Sequence, residues 1–329
     1  MRIAEMLPAE RADGNLWPLM RQAGVTDAVG TLPGDPRPRA GEDAPWDWLP
    51  MVRAKDLYER NGFDLGVIEW RPPFNLAKRG LPGRDEEIEN VCTLLRNMGR
   101  LGIPVWCYEW MTDRNWVRTS TAIPARGGST VTGFDRKIFE AGPSPALGGI
   151  AEEQLWENLE YFLARVLPVA EEAGVRLAMH PDDPPISPLG GIGRIMSSVT
   201  GFRRLLEISD SPMNGVTFCQ GNFRLMTDDV PGTIREIGGS GRIHFVHFRD
   251  VEGTVDSFVE TWHDAGPTDM RACIEAYRGI GFDGLMRSDH VPTLHGEVGA
   301  QAGYGVLGRL YAVGYIRGLL EGTAAPAGS

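Results

Sequence analysis

The chain has 329 residues, 42% of them hydrophobic and 23% charged, with a net charge of −11. That composition suits a folded globular protein and excludes a disordered one. The acidic balance and the lack of a long basic run argue against nucleic acid and anionic membranes as partners, and no apolar run approaches the ~20 residues of a membrane span.

The first residues, Met1-Arg2-Ile3-Ala4-Glu5-Met6, alternate like a strand and lack the apolar core of a signal peptide. Strand-like runs follow near 2–6, 27–31, 64–70, 103–109, 175–180, 215–219, 243–249 and 284–289. Helical patterns fall near 15–23, 47–61, 84–101, 152–173, 198–208, 230–238, 268–280 and 304–321. Strict alternation of eight with eight predicts eight βα units, an α/β fold of the (β/α)8 TIM-barrel type, over one domain at 1–321. The clearest helix is the fourth: Leu155, Leu159, Phe162, Leu163 and Val166 recur at a 3.6-residue period, with Glu152, Glu153 and Glu160 on other faces. Gly62, Gly102, Gly174 and Gly281 stand where helices should end.

An open doubly wound sheet would want a Gly-rich phosphate turn after its first strand. Glu5-Met6-Leu7-Pro8 offers none, and Gly190-Gly191-Ile192-Gly193 has the wrong spacing. Two connections are long, 71–83 and 110–151, and both fall at the catalytic mouth of the proposed barrel, where lids or oligomer contacts are expected. Residues 322–329 read as a flexible tail. Cys92, Cys107, Cys219 and Cys273 show neither CxxC spacing nor a secretory framework, which predicts reduced thiols in the cytoplasm.

The chemistry lies in the second half. All six histidines follow residue 179. His180, Cys219, His247 and Asp289 each sit at the downstream end of a strand-like run, and a parallel barrel gathers those ends around one mouth. Imidazole, thiolate and carboxylate together make a set that binds a divalent transition metal. His244 and His247 differ in parity, so only one can face the mouth. His247 is nearer the strand's end, which leaves His244 a supporting or structural role. Asp182 and Asp183 follow His180 in a proline-rigid turn, His290 beside Asp289 can move protons, and Arg249 is best placed among Arg118, Arg194, Arg224, Arg249 and Arg287 to fork onto a carboxylate.

Several strings together resemble the mannonate dehydratases. They are His180-Pro181-Asp182-Asp183-Pro184-Pro185, His244-Phe245-Val246-His247-Phe248-Arg249-Asp250-Val251, Glu260-Thr261-Trp262-His263-Asp264-Ala265-Gly266, Ser288-Asp289-His290, and Gly303-Tyr304-Gly305-Val306-Leu307-Gly308-Arg309. Cys107-Tyr108-Glu109-Trp110-Met111 with Trp116-Val117-Arg118-Thr119 echoes another stretch of that family. The resemblance implies a xylose-isomerase-like barrel that binds Mn²⁺ or Fe²⁺ and removes water from D-mannonate to give 2-keto-3-deoxy-D-gluconate. By ligand type Zn²⁺ is equally suited. It implies His180, Cys219, His247 and Asp289 as metal ligands, and His290 and Tyr304 as acid and base. It places Arg118, Asp182, Arg249 and His263 at the substrate, and implies a homo-oligomer, dimer or tetramer.

The chain also departs from that pattern. The family's paired-histidine motif after strand two is replaced by Gly30-Thr31-Leu32-Pro33-Gly34-Asp35. Asn115 stands for an aspartate, Glu109-Trp110 for Asn-Phe, and Val291 for a glycine. The metal half is kept and the substrate half altered. The expected reaction is therefore dehydration of a sugar acid. The alternative is a metal-dependent isomerase or epimerase, for which Glu69 and Glu109 are candidate bases.

Overall fold

Strands that are apolar on both faces become covered on both faces, and parallel strands joined by helices meet that demand. The computed structural model describes residues 1–39, 41–142 and 148–324. Eight strands, β1 Arg2–Leu7, β2 Asp27–Gly30, β3 Asp64–Ile68, β4 Val105–Glu109, β7 Arg176–His180, β8 Asn214–Cys219, β9 Ile243–Phe248 and β12 Leu285–Ser288, form a closed parallel barrel. Around the barrel the order is β1-β12-β9-β8-β7-β4-β3-β2. Ala4, Val29, Val67, Val105, Cys107, Ala178, Phe245 and Leu285 form one inner cluster, a filled core and not a pore.

The helices α1 Leu16–Gln22, α2 Trp48–Arg60, α4 Arg84–Arg100, α6 Glu152–Ala173, α7 Val199–Glu207, α9 Val230–Gly238, α10 Met270–Gly279 and α11 Val306–Gly322 carry the expected crossovers. In α6 the five expected apolar residues are buried and Glu152, Glu153 and Glu160 are exposed. Each of those side chains contributes roughly 1.5–3 kcal/mol by leaving water. The helix stops at Gly174, whose φ of 68° returns the chain into β7. No helix among the described residues is long and apolar enough to cross a membrane. The expected tail begins inside α11, and its residues 325–329 lie outside the described residues.

Alternation alone did not anticipate a second sheet. The connection 110–151 contains β5 Ser120–Pro124, β6 Thr130–Asp135 and the short helix α5 Arg136–Glu140. The segment after β9 folds into the hairpin β10 Val251–Thr254 and β11 Ser257–Glu260. These four strands pair antiparallel in the order β10-β11-β6-β5, and Phe134, Ile186, Leu189, Val251 and Phe258 pack as a small core beside the barrel. Two further short helices, α3 Asn75–Arg79 in the connection 71–83 and α8 Gln220–Met226 after β8, arise outside the eight expected helical stretches.

His244 faces away from the mouth, as its parity predicts. It is buried beside Leu177, with Nδ1 3.0 Å from that residue's carbonyl oxygen, and burial pushes its pKa down to about 4. The unfolded chain binds this proton near pH 6.5, whereas the folded one resists it until about pH 4. Stability is therefore expected to fall as pH drops from 6.5 toward 4. The His244→Gln variant should show a shallower decline in a series of thermal melts across that range.

Candidate metal and catalytic site

The barrel delivers its strand ends to one place. His180 closes β7, Cys219 closes β8, His247 is the penultimate residue of β9, and Asp289 follows β12. The β8–β9 register sets Cys219 level with His247, and the β9–β12 register sets Arg287 level with His247. A cavity of about 320 Å³ opens at this end, lined by His180, Asp183, His247, Asp289, His290 and Tyr304 with Glu69, Arg71, Glu109, Asn115, Trp116 and Gln301.

His180 Nδ1 is 2.7 Å from the Pro181 carbonyl oxygen. A carbonyl only accepts, so Nδ1 carries the proton and Nε2 keeps its lone pair. That Nε2 lies 3.2 Å from His247 Nδ1, a spacing that suits two nitrogens bound to one ion at about 2.1 Å each. Ligand atoms of His180, Cys219 and His247 all lie within 4.8 Å of one another. His247 Nε2 is 3.3 Å from Glu69 Oε2 but off the line of a hydrogen bond, so a carboxylate stands behind the imidazole as it does behind many metal-bound histidines. Burial opposes ionisation of the Cys219 thiol, but the Arg249 guanidinium and the imidazoles of His180 and His247 outweigh it and bring its pKa down to about 6. Two imidazoles, a thiolate and a nearby carboxylate fit a divalent cation.

Asp289 enters differently. Its Oδ2 is 3.6 Å from Cys219 Sγ and 3.6 Å from His247 Nδ1, but it also accepts a 2.7 Å hydrogen bond from Arg249 Nε. Its Oδ1 is 3.0 Å from an Arg287 nitrogen. Burial would raise its pKa, yet His290, Arg287 and His247 hold the carboxyl well below the usual range. A second triple, Glu69, Cys107 and His247, is as tight. It is the poorer donor set, because burial raises the Cys107 thiol and Arg287 forks onto Glu69 at 3.0 and 2.9 Å.

His290 and Tyr304 meet edge to face across the cavity, with ring centroids 5.4 Å apart. Glu260 Oε1 accepts a 2.9 Å hydrogen bond from the Nδ1–H of His290, which leaves Nε2 as the lone-pair nitrogen. Burial and the negative charge of Asp289 raise the Tyr304 phenol above its ordinary pKa, so it stays protonated.

Behind this wall lies a closed ion-pair ring. Arg118 bridges Asp183 (2.5 Å) and Glu260 (2.5 Å), and Arg249 bridges the same two carboxylates at 3.0 and 2.9 Å while reaching Asp289. Arg118 and Arg249 were expected at the substrate. The structure instead spends both guanidiniums on buried carboxylates, and neither lines the cavity. Asp182 also stands off the cavity wall, because its Oδ2 accepts from the Met196 N–H at 2.7 Å and burial raises its pKa to about 6. Its neighbour Asp183 faces the cavity instead. His263 is buried, finds no hydrogen-bond partner for either ring nitrogen among the described residues, and is likewise off the wall. Burial brings its pKa down to about 4. Arg194 holds the carbonyl of Arg114 at 2.8 Å, and Arg224 turns to Asp228 at 2.9 Å.

Glu260 and Arg71 have no site role in the sequence reading, and Asp183 and Arg287 are named there among the charges near the mouth without one. Glu260 and Asp183 sat inside strings already conspicuous for His263 and Asp182. Arg287 was visible as a charge two residues before Asp289, a spacing that returns to the same face of a strand.

The D-mannonate dehydratase (UxuA) family model matches residues 15–148 and 145–327. The chain is similar to mannonate dehydratase 2 of Halalkalibacterium halodurans, 35% identical over 303 residues that cover 84% of this chain and 87% of that protein. It is similar to the mannonate dehydratase of Thermotoga maritima, 36% identical over 334 aligned residues and 91% of each chain. Its structure is similar to that of the mannonate dehydratase from Streptococcus suis serotype 2, with a TM-score of 0.90 and 32% identity over 100% of this chain and 99% of that one. An L-ribulose 3-epimerase shares the fold alone, with a TM-score of 0.63 and 13% identity over 100% and 99% of the two chains.

Proposed function

Because the chain belongs to the mannonate dehydratase family, we propose that the sugar acid it dehydrates is D-mannonate and that the product is 2-keto-3-deoxy-D-gluconate. It is a hydro-lyase that removes water from a sugar acid. The isomerase or epimerase alternative is not favoured, and its two candidate bases are already committed. Glu109 lies 2.6 Å from Arg71 Nε and 2.8 Å from Lys78 Nζ, and Glu69 is forked by Arg287.

The observation that carries the reading is that His290 and Tyr304 face the same cavity as His180, His247 and Asp289. His180, Cys219, His247 and Asp289 would hold a divalent cation, Mn²⁺ or Fe²⁺, with Zn²⁺ also suited to the thiolate and imidazoles. When bound, the cation supplies Lewis acidity toward the substrate carboxylate, where negative charge collects as C2 loses its proton. His290 Nε2 takes that proton, with Glu260 fixing the tautomer and facing the imidazolium that forms. Tyr304, held protonated, gives its proton to the hydroxyl leaving C3, so water departs and the enol left behind rearranges to the 2-keto acid. Arg118 and Arg249 act by positioning Glu260, Asp183 and Asp289.

The free state of all four cysteines supports a cytoplasmic location. A homo-oligomer, dimer or tetramer, is proposed on family analogy. Mass spectrometry of D-mannonate incubated with Mn²⁺-loaded protein should show loss of one water. A mass-neutral conversion, or no reaction there with dehydration of another aldonate, would sink the D-mannonate assignment.

A further inference from the structure

We propose that Arg71 reads the far end of the sugar acid, the hydroxyl-bearing carbons beyond the reacting C2–C3 bond. The inference rests on the reading of the site given above.

Position comes first. The cation ligands and His290 ride on β7, β8, β9 and the end of β12, whereas Arg71 follows β3. In the barrel order β3 stands four strands from β9, directly across the mouth. A substrate whose carboxylate, C2 and C3 lie against the β7–β12 side therefore extends its remaining carbons toward β3. Arg71 lines both the reaction cavity and a wider outer cavity of about 610 Å³, so it stands where the two meet.

Its state comes second. Arg71 Nε lies 2.6 Å from Glu109 Oε1. That carboxylate is pinned in turn by Lys78 Nζ at 2.8 Å and the Met111 N–H at 2.6 Å, so the anion that the guanidinium faces is fixed in place. The two terminal nitrogens of Arg71 have no protein partner among the described residues. A held guanidinium with free terminal donors is prepared for hydroxyl oxygens at little further cost in ordering.

The neighbouring strand supplies the third point. Of the connection after β2, residues 30–35 line neither cavity, and the residue of it that reaches the outer one, Pro36, offers no side-chain donor. This quadrant of the mouth therefore takes its charged donor from the turn after β3.

The test compares Arg71→Gln and Arg71→Lys with the parent chain, all Mn²⁺-loaded. Affinity is measured by calorimetry and KM for D-mannonate, and for a four-carbon aldonic acid of the same C2 and C3 configuration by calorimetry and competitive inhibition. Arg71→Gln should weaken D-mannonate roughly tenfold or more, the size of a lost charged hydrogen bond, with kcat and metal content little changed. The four-carbon acid should bind the variant and the parent within about twofold, and lysine should recover part of the loss for the longer acid alone. Equal weakening of both acids would show that Arg71 serves the reacting end or merely holds Glu109, and unchanged binding of both would show no contact. Either outcome overturns the proposal. Failure of the parent chain to dehydrate D-mannonate would instead remove the substrate assignment, while the calorimetric comparison would still judge Arg71.

Discussion

Replacing His290 by glutamine is expected to lower turnover about a hundred- to ten-thousandfold, the range for loss of a positioned acid or base, while leaving metal content unchanged. Glutamine keeps polar atoms near the ring's positions but has no lone-pair nitrogen to accept a proton. The ligand atoms of His180, Cys219 and His247 do not depend on the His290 ring, so metal retained with activity lost is the signature of chemistry. Loss of metal would show instead that His290 is structural.

The same variant can assign the roles. In D₂O, a base that still works exchanges the C2 proton even when elimination is blocked. Tyr304→Phe should therefore keep C2 exchange while product formation collapses, and His290→Gln should lose both. The reverse pattern would exchange the acid and the base between the two residues. The basis for the expected order is the fixed tautomer of His290, with Nδ1 on Glu260, and the raised pKa of the Tyr304 phenol.

Arg249→Met should be the most destabilising single change near the site. Arg249 is 1% exposed and reaches Asp183, Glu260 and Asp289 at 3.0, 2.9 and 2.7 Å. Removing one side of a buried ion pair costs about 3–5 kcal/mol, because the charge left behind has been taken from water without compensation. Arg118 still serves two of these carboxylates, and Arg287 the third, which places the expectation toward the lower end. The pH dependence gives the mechanism a distinct mark. In the parent chain Asp183, Glu260 and Asp289 are held below their ordinary range, so their contribution is present above the unfolded carboxylate pKa and is lost as pH falls through the folded one. The gap between parent and Arg249→Met should therefore be widest near neutrality and narrow in acid, where the abandoned carboxylates take protons. Urea midpoints at several pH values would measure it, and a gap independent of pH would mean lost packing and not lost pairing.

The eight βα units were legible because each strand is a short apolar run and each helix shows its own period, as Leu155, Leu159, Phe162, Leu163 and Val166 do in α6. The strand-end residues were legible for a topological reason: closing the barrel gathers His180, Cys219, His247 and Asp289 wherever they fall in the chain. The second sheet was not. Three of the four residues of β10 are exposed, and no residue of β5 is buried, so neither shows the alternation of a half-buried strand. Pairing across more than a hundred residues, as of β6 with β11, leaves no local trace. Ion-pair partnership failed for the same reason. Nothing adjacent to Arg249 in the chain says that Asp183 and Glu260 will claim its donors, and the choice between Asp182 and Asp183 is made by the Met196 N–H.

The small antiparallel sheet decides which parts of this molecule can be exchanged. Arg118 lies just before β5 and Glu260 closes β11, so the two halves of the His290 support come from different connections stitched together by β6 and β11. For anyone grafting loops between relatives to change substrate scope, the transferable cassette is therefore the two connections together. A swap of either one alone would bring an edge strand with no matching register and a carboxylate or guanidinium with no counterpart, on a barrel otherwise unchanged.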